Sequence, residues 1–175
     1  MEQAEMVALI RPGVPSDAGV WAEFGVGSGN FTAALRTLLS SGSAIYAVDR
    51  DASAVRQLQA LAAQSGVPIS PLQADFTKPL ALPTLDGMLL ANALHFVRAQ
   101  VPVLAALGAL LRSGGTLLLV EYDLATPRPW VPFPIAAVAF PALAQAAGFV
   151  DPAIIATRRS PSSGVTMYAA SARRV

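Results

Sequence analysis

Short apolar runs alternate with helix-patterned segments along most of the chain, and this alternation most narrows the folds open to it. Val20-Trp-Ala-Glu-Phe24 reads as a buried strand. Residues 31–39 then set Phe31, Ala34, Leu35, Leu38 and Leu39 on one helical face, with Asn30 as the expected N-cap. The next strand is expected at 43–48 and the next helix at 51–64, with Val55, Leu58 and Leu61 in helical phase. A strand at 67–73 contains Pro68 and Pro71, which remove ladder donors and assign it to a sheet edge. Residues 85–91 form another buried strand, 97–111 a helix ended by Ser113-Gly114-Gly115, and 116–122 a strand.

After Asp123 the pattern changes. A Pro-rich loop at 126–134 carries Trp130 and Phe133, and a helix from Phe140, with Pro141 in its first turn, stops at Gly148. Strands at 153–157 and 165–172 flank the loop 158–164, too short for a helical crossover, so the pair is antiparallel. Five strands separated by helices, followed by a hairpin, describe an α/β fold: a three-layer αβα sandwich on a mostly parallel sheet. We read 1–175 as one domain, with 1–19 as a short N-terminal strap.

Composition removes several function classes. Hydrophobic residues make up 54% and charged residues 13% of the 175 positions, which excludes a disordered chain. A net charge of +1 with no basic cluster argues against nucleic-acid binding. There is no cysteine and only one histidine, His95, so no metal site of the cysteine or His-rich kind is expected. Mean hydropathy is +0.52, yet the longest apolar stretch, 130–150, is broken by Pro132, Pro134 and Pro141. No membrane span is expected. Met1–Glu5 lacks a basic leader, so the expected compartment is the cytoplasm. The apolar surplus is expected in a thick core, a homodimer interface or a greasy pocket.

The sharpest motif is Glu23-Phe24-Gly25-Val26-Gly27-Ser28-Gly29, between the first strand and the first helix of the alternation. Glycines there let the backbone turn tightly and approach a ligand, and the helix beyond offers free N–H groups to an anion. Asp49 ends the second strand, where a carboxylate can accept from both hydroxyls of a ribose. Asp75 and Phe76 follow the third strand and offer an acceptor and an apolar face to an adenine. The spacing is G-x-G-x-G and not the G-x-G-x-x-G of dinucleotide sites. Glu23 would also repel a pyrophosphate, which favours a ligand carrying positive charge.

The string E-x-G-x-G-x-G, with Asp49, Asp75-Phe76, Asn92-Ala-Leu-His95 and Gly114-Gly-Thr-Leu-Leu-Leu-Val-Glu121, resembles the class I S-adenosylmethionine-dependent methyltransferases. The resemblance runs from about Val20 to the final strand pair. It implies a Rossmann-like seven-stranded sheet of order 3-2-1-4-5-7-6 with strand 7 antiparallel, and S-adenosylmethionine as cofactor. It also implies that Gly25, Gly27 and Gly29 border the methionine part and that Glu23 lies near its amino group. Asp49 would then hold the ribose, Arg50 pack over the adenine, Asp75 and Phe76 meet its amine and ring, and Asn92 line the pocket near the sulfonium. The acceptor is expected to be a small molecule, which Trp130 and Phe133 would wall.

Plainer readings stand beside these. Asp75 before Phe-Thr-Lys also suits a turn, and Arg50 a solvated surface. His95 is a candidate general base or a hydrogen-bonded neighbour, and Glu121, Tyr122 or Asp123 a candidate acceptor contact. Two rival functions remain: a catalytically silent binding or assembly module on the same fold, and a nucleotide-linked oxidoreductase. With few residues before the first strand, the pocket is expected to be open, closed by a partner subunit, or closed only when substrate binds.

Overall fold

A computed structural model describes residues 1–64, 66–160 and 163–175. Seven strands are involved: β1 (Val20–Phe24), β2 (Ala44–Asp49), β3 (Ile69–Gln73), β4 (Leu85–Ala91), β5 (Leu111–Tyr122), β6 (Phe149–Arg159) and β7 (Thr166–Arg174). They form one sheet in the order β3-β2-β1-β4-β5-β7-β6. The pairs from β3 to β5 are parallel, and β7 runs antiparallel to both β5 and β6. The expected order and strand sense are therefore found, with β3 and its Pro71 at an edge.

Alternation within strands splits the apolar residues between two cores, as the two-residue period of a pleated sheet requires. Trp21, Ile45, Leu118, Val120 and Ala169 face one side. Against them pack helices α1 (Gln3–Ile10), α2 (Asn30–Leu38) and α3 (Ala52–Ala62), through Met6, Ile10, Leu35 and Leu58. Phe24, Leu117, Leu119 and Tyr168 face the other side, beneath α4 (Gln100–Gly108) and α5 (Phe140–Ala146) with Leu104, Leu107 and Phe140. Apolar on both faces, the parallel strands read as the near-continuous hydrophobic runs seen in the sequence.

Several local expectations need correction. The cap of α2 is Gly29, in a left-handed conformation, and Asn30 is the first helical residue; a glycine takes that turn more cheaply than asparagine. The helix expected at 97–111 is shorter. A 3-10 turn at Leu94–Phe96 precedes α4, and β5 begins at Leu111 because Leu85 N–H already bonds the Leu110 carbonyl. β5 pairs at Leu111, and the β4 ladder resumes only at Thr116. No helix crosses from β3 to β4; residues 74–84 form a loop. β6 outruns its expected limits at both ends, and β7 begins at Thr166 and runs past its expected end to Arg174. The expected loop 158–164 includes Pro161 and Ser162, which lie outside the described residues.

The N-terminal strap is a helix. Met6, Leu9 and Ile10 of α1 are buried against α2 and the hairpin, and Glu5 pairs with Arg158 of β6. Among the described residues, no helix is long and apolar enough to cross a membrane.

Candidate functional site

The C-terminal ends of β1, β2, β3 and β4 open into one cavity of about 930 Å³. A crevice there is what parallel α/β sheets provide where strand order reverses, here between β1 and β4. The volume lies near the upper end of the roughly 300–1,000 Å³ typical of small-molecule sites.

The glycine loop forms the floor. Gly25 N–H bonds the Val48 carbonyl at 2.8 Å, which carries the chain off β1 alongside β2. Gly25 has φ +77, and a Cβ there would sit 2.6 Å from Ala93 Cβ. Glycine is thus required by both conformation and space. Gly27, also at positive φ, donates its N–H to Asp49 Oδ2 at 2.9 Å, while Asp49 Oδ1 accepts from Asp51 N–H at 2.9 Å. A carboxylate offers about four lone-pair sites, so two remain for a ligand.

Glu23, Gly25, Gly27 and Asp49 line the cavity, as do Arg50, Asp75, Phe76 and Asn92. Gly29 and His95 do not, nor do Glu121, Tyr122 and Asp123. Gly29 lies behind the loop against Leu58, and His95 is buried elsewhere.

Glu23 is 1% exposed, and its Oε2 accepts the Thr32 hydroxyl at 2.5 Å. Burial pushes its carboxyl up from 4.5 to about 8; Thr32 opposes the rise and the Asp49 charge adds to it. The group is therefore largely protonated at neutral pH, and a cation placed beside it would draw it to ionise. Asp75 is the opposite case. The Thr77 hydroxyl and N–H both bond its Oδ1, at 2.7 and 2.9 Å, and hold its carboxyl below the usual range. The turn foreseen at Asp75 is thus present, and it leaves Oδ2 outside those bonds.

Asn92 closes the far side. It has φ +53, in the left-handed region, and its Oδ1 is buried with no hydrogen-bond partner among the described residues. A strained residue with an unmet polar atom in a cavity wall is the pattern of a ligand-facing group.

His95 is 2% exposed. Its Nδ1 lies 2.5 Å from Glu121 Oε2, and its N–H reaches Glu121 Oε1 at 3.2 Å. Glu121 is 0% exposed, and burial raises its carboxyl although His95 opposes the change. The pair fastens the segment after β4 to the end of β5. Asp123 accepts from Ala137 N–H, so it too is engaged within the fold. Trp130 packs edge-on to Tyr122 at 4.8 Å, and neither Trp130 nor Phe133 lines the cavity.

Sequence reasoning missed Met1, Met6, Phe31 and Phe96 as lining residues and Thr32 as the partner of Glu23. Thr32 had one signal, its place in the first turn of a helix beginning beside the glycine loop. The methionines lie in the expected N-terminal strap, whose place over the cavity only the fold fixes.

The methyltransferase-domain family matches residues 22–119, more than half of the chain. No curated protein matches it in sequence. Solved structures resemble it closely in fold at low identity. The 1,6-didemethyltoxoflavin-N1-methyltransferase of Burkholderia thailandensis, bound to 1,6-didemethyltoxoflavin and S-adenosylhomocysteine, is 20% identical with a TM-score of 0.77, over 99% of this chain and 78% of that one. The N-methyltransferase NodS of Bradyrhizobium japonicum, in complex with S-adenosylhomocysteine, is 19% identical with a TM-score of 0.76, over 99% and 87%. A SAM-dependent methyltransferase from Aquifex aeolicus is 14% identical with a TM-score of 0.71, over the whole of both chains. With the glycine loop, the sheet order and the family match in agreement, the chain belongs to the methyltransferase-domain family and so to the S-adenosylmethionine-dependent methyltransferases.

Proposed function

We propose that this cavity holds S-adenosylmethionine over β1–β4 and that the chain passes its methyl group to a small-molecule acceptor. The observation that carries the reading is the Gly27–Asp49 arrangement: a loop donor fixes one carboxylate oxygen and leaves acceptor capacity for a diol. The residues fit the cofactor. Asp49 would accept from the ribose hydroxyls, while Asp75 Oδ2 and the Phe76 ring would meet the adenine, with Arg50 beside them. Glu23 would face the ammonium group, and Gly25 and Gly27 would let the methionine part approach the backbone. Gly29 sets the turn that starts α2. Asn92 Oδ1 would face the reacting end.

When bound, the cofactor supplies an electrophilic methyl group on a sulfonium. The chain's own part is to orient, to exclude water and to hold charge. Met6 of α1 and Phe31 of α2 supply apolar cover. We assign His95 a positioning role, because it is buried against Glu121 and does not reach the cavity. The whole span 1–175 is proposed to act as one domain, since α1 packs against α2 and the hairpin. A cytoplasmic setting and a homodimer formed through the apolar surplus belong to the same proposal.

Calorimetry with S-adenosylhomocysteine tests the reading. Asp49→Ala is expected to weaken binding by about 1–3 kcal/mol, the loss of charge-assisted hydrogen bonds. Unchanged affinity removes the ribose assignment. Tight binding with no methyl transfer to any acceptor would instead favour a binding module.

A further inference from the structure

The segment after β4 presents an aromatic surface that the cofactor reading leaves unused. Phe96 lines the cavity, yet 59% of it is exposed, so a large apolar ring is held at the wall with little to cover it. Its neighbour His95 packs against it at 4.3 Å between ring centroids and, on the β5 side, against Tyr122 at 6.3 Å. Tyr122 in turn meets Trp130 edge-on at 4.8 Å. Four rings therefore run in a row from the cavity wall to the Pro-rich loop.

The row is fastened from several sides. Glu121 takes both the His95 N–H and its Nδ1. Phe133 N–H donates to the His95 carbonyl at 3.0 Å, and Gln100 Nε2 donates to the Phe133 carbonyl at 2.8 Å. The buried carboxylate thus fixes the imidazole, the imidazole backs the Phe96 ring, and the Pro-rich loop is stitched to the segment that carries both. A ring held this way loses little freedom when a ligand stacks on it, which is the condition for an apolar contact to translate into affinity.

Position assigns this surface to the acceptor. Asp49, Asp75 and Phe76 lie at the β2 and β3 ends of the cavity, whereas Phe96 follows β4 and is backed by His95, which packs toward Tyr122 of β5. Resting on the cofactor reading above, we infer that Phe96 is the acceptor-binding face of this enzyme, that it selects a planar aromatic or heteroaromatic small molecule, and that His95 and Glu121 are its positioning residues. A flat π-system can lie offset over the exposed ring or meet it edge-on, at the separations that aromatic pairs prefer. A saturated ring of equal size can do neither.

The test uses 1-naphthol and its saturated counterpart decahydro-1-naphthol as probes, titrated against the full chain with and without S-adenosylhomocysteine. The planar probe is expected to bind about two- to tenfold more tightly than the saturated one. Phe96→Ala, a substitution at an exposed position, should abolish that preference, and Phe96→Tyr should keep it. Glu121→Gln should reduce the planar-to-saturated ratio, a readout that a merely structural role would leave unmoved. Equal binding of the two probes, or a preference that survives Phe96→Ala, overturns the inference. Failure of S-adenosylhomocysteine to bind would overturn the cofactor reading instead, and the probe ratio measured on the protein alone would still decide the aromatic face.

Discussion

Glu23 offers the most quantitative handle on this site. It is a buried carboxyl whose pKa rises from 4.5 to about 8, mainly through loss of hydration. An acid of this kind binds its proton more tightly in the native chain than in the unfolded one. Its stabilising contribution is therefore complete below pH 4.5, declines as pH rises, and is gone once pH passes about 8. At about 1.36 kcal/mol per pH unit the difference amounts to roughly 5 kcal/mol across that window. Glu23→Gln keeps the shape and an oxygen for the Thr32 hydroxyl but cannot titrate. The stability of the native chain relative to the variant should thus fall with pH, at a slope near 1.4 kcal/mol per unit between about pH 5.5 and 7.5. Above pH 8 the variant should be the more stable of the two. Urea unfolding of both proteins at a series of pH values reads this directly, provided the urea dependence is unchanged by the substitution. Parallel curves for the two proteins would show that Glu23 is already ionised in the native state, and the argument from burial would be wrong.

Two further outcomes follow from the same geometry. Gly25→Ala places a Cβ 2.6 Å from Ala93 Cβ at a φ of +77; we expect a cost of about 1–3 kcal/mol in urea unfolding and at least tenfold weaker S-adenosylhomocysteine binding. His95→Ala leaves Glu121 buried without its partner, and a loss of about 3–5 kcal/mol in unfolding free energy is expected; a loss under 1 kcal/mol would mean the pair contributes little to the β4–β5 junction.

Much of the fold was legible because each strand carries its own signal. Val20–Phe24 and Leu85–Ala91 fall where the apolar runs place them, and Pro71 marks the edge position of β3 before any pairing is known. The boundaries that failed depend on tertiary contacts. The limit between α4 and β5 is set by pairing with Leu85, which lies more than twenty positions away in the chain. The glycine loop and the acids after β2 and β3 were legible as a set because their spacing follows the strand ends. The state of Glu23 was not, since its burial and its bond to Thr32 exist only once α2 packs on the sheet. His95 shows the same limit. A lone histidine after a strand gives no sign of whether it faces a cavity or a buried glutamate on the neighbouring strand.

On the proposed reading, an ammonium-bearing cofactor lies against Glu23 and the glycine loop. Titrating the full chain with S-adenosylhomocysteine at pH 7, in two buffers of different ionisation enthalpy, tests it most directly. One site per chain is expected, with no binding of NAD under the same conditions and release of close to one proton as Glu23 ionises beside the incoming cation. Binding without proton release would contradict the placement of Glu23, and binding of NAD in preference to S-adenosylhomocysteine would contradict the assignment of this cavity to S-adenosylmethionine.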